Sequence, residues 1–259
     1  MINLASLNLR CEVQYVLGNH DFNDPFMEAL DELAEEGLKF TNYYAPSALC
    51  SPSRAGLITG RHPYRTGIRS WIPHGSGVFL SRDEITLAET LRDAGYATSH
   101  IGKWHLNSDL ASDVEPQPLD QGFDHYFGDT VINFPPYAWI EDDRLVQPPD
   151  TLMDTSVWKP IKEGGWECRP GPMVTGWDPY QVLPTLADKG VSYLHSRKPD
   201  ERPSYRSFAG PCPQAPIIPN AELDGRSQAG PYGDFVVQTD DVIGRLMKAL
   251  ADAGLSENT

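Results

Sequence analysis

"DEITLAETLRDAGYATSHIGKWHL", residues 83–106, changes character at a single glycine. The first half is patterned as a helix, and Gly95 stops it. "YATSHIG" is then short and strand-like, and Lys103 and His105 emerge just beyond Gly102. Two residues apart, these side chains can project to the same side of an extended chain. A helix feeding a strand belongs to an α/β sheet, and such sheets gather ligands at the carboxyl ends of their strands. Taken singly, Lys103 and His105 also suit a surface lysine and a packed histidine.

Upstream, "NDPFMEALDELAEEG" (23–37) is patterned as a helix, with Asn23 or Asp24 as cap, Pro25 opening it and Gly37 ending it. "LKFTNYYA" (38–45) alternates like a strand. The stretch "SALCSPSRAGLITGR" (47–61) sets Cys50, Pro52 and Arg54 two residues apart. One reading is a helix start capped by Ser51 or Ser53, packed through Ala55, Leu57 and Ile58 and stopped by Gly60, with Cys50 a small buried hydrophobe. The other uses the same helix N-terminus as an anion site, with Arg54 one turn along from a reactive thiol. The first hundred residues thus run helix, strand, helix, helix, strand, which predicts a mainly parallel sheet with helices on both faces. Cys50 is expected at a helix N-terminus.

Residues 107–178 are rich in Pro, Gly, Asp and Trp and carry no long period; "AWIEDDRLV" within them is a short hairpin. Trp139, Trp158, Trp166 and Trp177 suit either stacking on sugar rings or core packing. "PTLADKGVSYLHSR" (184–197) and "GDFVVQTDDVIGRLMKALADAG" (233–254) are helices, the second with Phe235, Val242, Leu246 and Leu250 near one face. The organisation predicts one domain over 1–259, with a loop-rich insertion at about 107–180 where binding surfaces often lie.

The 259 residues, 40% hydrophobic and 22% charged, are those of a globular chain. A net charge of −15 opposes nucleic-acid binding, since scattered basic residues cannot neutralise phosphates. No run is long enough for a membrane span, and the N-terminus has no signal-peptide pattern. The 4 cysteines, Cys11, Cys50, Cys168 and Cys212, stand singly, with neither zinc-site spacing nor a dense disulfide framework, and leave the redox compartment open.

Together "ALCSPSRAGLITGR" and "GYATSHIGKWHL" resemble the two signatures of the sulfatase family, in the expected order. "GFDHYFG" (122–128) and "GPYGDFVVQTDDVIGRLMKALADAGL" (230–255) extend the likeness from about Gly18 onwards. The resemblance implies an alkaline-phosphatase-like fold and hydrolysis of sulfate esters of the arylsulfatase kind. It implies that a separate formylglycine-generating enzyme oxidises Cys50, with Pro52, Ser53 and Arg54 completing the modification motif. Carried over by position, Cys50 becomes the nucleophile, Arg54 steadies its ionised hydroxyl, Lys103 neutralises sulfate oxygens, and His105 bonds the hydrated aldehyde and takes its proton. A sulfated small molecule or carbohydrate is the implied substrate. Relatives are often periplasmic or secreted, which leaves the location of this chain open.

Three departures accompany the likeness. The family holds calcium through two adjacent aspartates near the positions of Leu7 and Asn8, and through an Asp-Asn pair beyond the last helix. Here Cys50, as formylglycine, is the one matching ligand, and Asp21 and Asp24 read as structural. At "PDERPSYRSFAGPCPQAP" (199–216) relatives have an apolar strand and a histidine that protonates the leaving group. This chain has Gln214 nearby and no clear apolar strand, before "APIIPNAEL" returns to pattern. The expectation is a chain truncated or frame-disrupted at 1–17, 199–216 and after 259, with impaired hydrolysis. The alternatives are an inactive remnant or binding protein of the same fold and, least favoured, a phosphatase or phosphodiesterase of the wider group.

Overall fold

The computed structural model describes residues 28–37, 39–110, 114–129, 132–157, 168–197, 202–212, 214–256 and 259. Its central strand is the one read first from the sequence. β1 (Ala97–Gly102) is buried at every position, as a strand covered on both faces must be. The preceding helix α3 (Leu87–Asp93) starts at Thr86, whose hydroxyl accepts from Glu89 N–H while Glu89 accepts from Thr86 N–H. That reciprocal cap fixes where the helix begins.

β1 pairs in parallel with β2 (His125–Gly128) on one side and with β7 (Ser204–Ala209) on the other. The predicted hairpin forms β3 (Ile140–Glu141) and β4 (Arg144–Leu145), which extend the sheet antiparallel from β2. The sheet order is β4-β3-β2-β1-β7, with a separate ribbon of β5 (Thr151–Leu152) and β6 (Pro172–Met173). The sheet is therefore mixed, with a parallel centre. The expectation that 199–216 lacks a strand is corrected by β7. "SYRSFA" carries too few apolar residues to read as a core strand, yet its backbone pairs with β1 along all six positions and its side chains stay half-buried. Strand identity there comes from the neighbour's ladder more than from local pattern.

Alternate residues of the parallel strands feed two cores. Ile101 and Phe127 face α4 (Val182–His195) and α5 (Gly230–Asp252) through Val182, Leu186, Phe235 and Val242. On the other face Tyr126 joins Ala55, Ala88, Trp104 and Phe123 under α2 (Cys50–Thr59) and α3. α1 (Glu28–Glu36) packs on α5, and the buried Asp240 carboxylate of α5 accepts from the N–H groups of Ala29 and Leu30 at 3.0 and 2.9 Å. The local caps expected at Asn23 or Asp24, and Pro25, lie outside the described residues.

The strand expected at 38–45 does not form among residues 39–45. Phe40, Tyr43 and Tyr44 are exposed, and alternation alone supplies no ladder. Trp139 and Trp177 pack on each other with ring centroids 4.8 Å apart at the edge of the α4 core. Trp158 and Trp166 lie outside the described residues.

Candidate active site

α2 begins at Cys50. Leu49 is its N-cap with no side-chain cap, and Gly60 closes it with φ 64°. Neither Ser51 nor Ser53 caps the helix, as had been expected. Ser51 is buried, and its hydroxyl accepts from Ile72 N–H at 3.1 Å. Pro52 falls within the first turn, where a missing N–H removes no helical bond.

The three parallel strands each deliver one polar residue just past their carboxyl ends: Lys103 after β1, Asp129 after β2 and Gln214 after β7. Close strand approach makes this possible. A Cβ on Gly102 would lie 2.2 Å from the Ala209 carbonyl oxygen, and Gly102 has φ +113°. No side chain fits that position.

Lys103 is fully buried, and its ammonium donates to Gln214 Oε1 at 2.7 Å. Burial, then the Arg54 charge, lowers it to about 8, opposed by the neighbouring Cys50 and Asp129. Its side chain is also in hydrogen-bonding reach of Cys50. The backbone of Lys103 is held from three sides. Its N–H donates to Ala209 O at 2.9 Å, and its carbonyl accepts from Arg54 Nη1 at 2.6 Å and His100 Nε2 at 3.1 Å.

Arg54 thus spends one donor on positioning Lys103, while its charge faces Cys50 and Asp129. His100 takes its second bond from the Ser207 hydroxyl at 2.9 Å, and burial holds it near 3, a neutral imidazole at physiological pH.

His105 does not reach the site by strand alternation. β1 has ended, and His105 adopts φ 55° in the left-handed region. Its Nε2–H donates to Ile72 O at 3.0 Å, leaving the buried Nδ1 as an acceptor with no partner. Burial first, and then Lys103, lowers it to about 3. Residue 72 therefore ties the two motifs together: its N–H is held by Ser51 and its carbonyl holds His105.

All four candidates, Cys50, Arg54, Lys103 and His105, sit in one electrostatic cluster. Sequence reasoning passed over two members. His100 lies inside β1, among residues read only as strand. Asp129 is 2% exposed, with both carboxylate oxygens lacking hydrogen-bond partners; burial raises it to about 6 against the pull of Lys103 and Arg54. Its only sequence signal was a place directly after "GFDHYFG".

Among the described residues no group of three or more His, Cys, Asp or Glu side chains is placed to hold a metal ion. The positions near Leu7 and Asn8, with Cys11, Gly18, Asp21 and Asp24, lie outside the described residues. Those described do not fit the ion, and no step below runs through it. Among them, too, no helix is long and apolar enough to cross a membrane.

Comparison with known proteins is decisive on kinship, since the sulfatase family's sequence model matches residues 16–259. The chain belongs to the sulfatase family. It is 32% identical over 250 residues to pig (Sus scrofa) N-acetylgalactosamine-6-sulfatase, covering 92% of this chain and 45% of that protein. It is 32% identical over 252 residues to human arylsulfatase A, covering 89% and 45%. In structure it matches a sulfatase described with the metabolism of multiple glycosaminoglycans by Bacteroides thetaiotaomicron. There the TM-score is 0.78 at 26% identity, over 92% of this chain and 57% of the other. The chain thus spans about half the length of the curated relatives it matches.

Proposed function

We propose that this site hydrolyses sulfate esters through a nucleophile made from Cys50, and that its substrate is a sulfated carbohydrate. The observation that carries the proposal is the convergence of Cys50, at the start of α2, with the half-buried cation of Arg54, the buried one of Lys103 and the free Nδ1 of His105. An anionic tetrahedral group placed there meets two positive side chains in a water-poor setting, where fixed charges act strongly.

In the proposed reaction a formylglycine-generating enzyme first converts Cys50 to an aldehyde, and water adds to give two hydroxyls on one carbon. One hydroxyl loses its proton to His105 Nδ1, the acceptor left open by the bond to Ile72, and its oxygen attacks sulfur. The S–O bond to the alcohol breaks as the alcohol takes up a proton from water. Loss of the proton from the second hydroxyl re-forms the C=O bond and expels sulfate. One difficult displacement becomes two easier ones. Arg54 steadies the ionised hydroxyl while Lys103 holds the sulfate oxygens.

A sulfated amino sugar is the favoured substrate class, because N-acetylgalactosamine-6-sulfatases are among the relatives. One feature favours slow turnover in this chain: the Gln214 amide cannot protonate a leaving alcohol. The test is co-expression with a formylglycine-generating enzyme, mass spectrometry of the peptide containing residue 50, and aryl sulfate hydrolysis. Conversion with turnover lost in Cys50→Ala supports the proposal; turnover that survives Cys50→Ala overturns it.

A further inference from the structure

Beside the proposed catalytic cluster lies a cleft lined by Ile72, His105, Asn107 and Phe134, among others. Phe134 carries the cleft wall outward to an arginine that the catalytic roles do not use. The Arg169 guanidinium lies 3.9 Å from the Phe134 ring centroid and 5.9 Å from that of Trp71, and the two rings are themselves 5.6 Å apart. Trp71 precedes Ile72, whose carbonyl orients His105. The arginine is therefore tied by two routes to the wall of the reacting pocket.

Its backbone is fixed. Arg169 N–H donates to Asn133 O at 3.2 Å, Arg169 O accepts from Tyr137 hydroxyl at 2.6 Å, and Cys168 Sγ donates to Ile132 O at 3.5 Å. The residue is exposed, and among the described residues no carboxylate pairs with it. The Phe134 face, with Trp71 further off, positions the guanidinium, and its N–H edge is suited to a forked contact with a carboxylate or sulfate.

We infer that Arg169, racked on Phe134 and Trp71, is a specificity-determining residue that recognises a second anionic group on the substrate. The favoured substrate is then a sulfated sugar carrying another sulfate ester or a uronic carboxylate, in place of an otherwise neutral monosulfated sugar. This rests on the sulfatase reading of the neighbouring pocket.

The test measures binding by calorimetry to the purified, unconverted chain at low salt, so that it does not depend on turnover. The probes are a monosulfated N-acetylhexosamine, the same sugar with a second sulfate, and the same sugar linked to a uronic acid. One or both dianionic probes should bind about tenfold more tightly than the monosulfated one, the scale of a charge-assisted contact, and the arm that does so names the anion. Arg169→Ala should abolish the preference without changing affinity for the monosulfated sugar, Arg169→Lys should keep part of it, and high salt should weaken it. Circular dichroism checks that the exposed substitution leaves the fold intact. Equal binding of all three probes, or a preference that survives Arg169→Ala, overturns the inference while leaving the sulfatase reading standing. Failure of every probe to bind overturns both.

Discussion

Replacing Lys103 with methionine should weaken function and strengthen the fold at once. The ammonium is fully buried, and its pKa falls from 10.5 to about 8. A drop of that size corresponds to about 3 kcal/mol by which folding disfavours the charged form at neutral pH. The sign follows from proton counts: between about 8 and 10.5 the unfolded chain holds the proton and the folded chain does not, so stability rises with pH across that window. Below it the penalty is complete. Methionine removes the penalty but leaves Gln214 Oε1 without its donor, which costs about 1 kcal/mol. The net gain of about 2 kcal/mol should raise Tm by about 4–8 °C at pH 7. Losing a preorganised cation aimed at the sulfate should lower kcat/KM for an aryl sulfate by about a hundredfold or more. Differential scanning calorimetry and initial-rate assays read the two effects separately. A lower Tm, or a loss in kcat/KM below tenfold, would refute the view of Lys103 as a charge held against its own solvation for anion binding.

Gly102→Ala should lower Tm by about 6 °C or more, because its Cβ would lie 2.2 Å from Ala209 O at φ +113° and both strain and clash act together; an unchanged Tm would contradict the strand contact. His100 and His105, both lowered to about 3, should destabilise the fold as pH falls. The unfolded chain binds their protons from 6.5 downward and the folded chain does not, so stability present above pH 6.5 is lost by about 2 kcal/mol per histidine at pH 5. Tm measured from pH 7 to 5 should fall accordingly, less steeply in His105→Gln, and a flat profile would count against buried neutral imidazoles. Asp240→Ala removes two acceptors from the start of α1 and should lower Tm by about 3–6 °C by thermal unfolding; no change would mean that α1 is held by packing alone.

The motif residues at the carboxyl end of β1 and the start of α2 were legible because each is set by local chemistry: a glycine stop, a short strand, a helix entry. What the sequence hid was long-range. Ser51 resembles a cap and instead holds residue 72. Asp240 caps a helix more than two hundred residues away. β7 looks too polar for a strand until β1 supplies its ladder. His100 bonds the Lys103 carbonyl from within β1, and its long-range partner, Ser207, comes from β7; Asp129 has no local signature, since the convergence of strand ends places it beside Lys103. The spacing of Lys103 and His105 suggested convergence for the wrong reason, for the left-handed turn at His105, not the pleat, points it inward.

The central claim is that residue 50 carries the atom that attacks sulfur. Cys50→Ser tests it most directly, because a serine has one hydroxyl where the hydrated aldehyde has two. After attack on a sulfate ester, no second hydroxyl is present to expel the sulfate, so the sulfo group stays on residue 50. Mass spectrometry of the digested variant, after incubation with an aryl sulfate, should find one SO₃ on the peptide that contains residue 50, at residue 50, and none when Lys103 is also replaced. An unmodified residue 50 alongside continued release of the phenol would contradict the account.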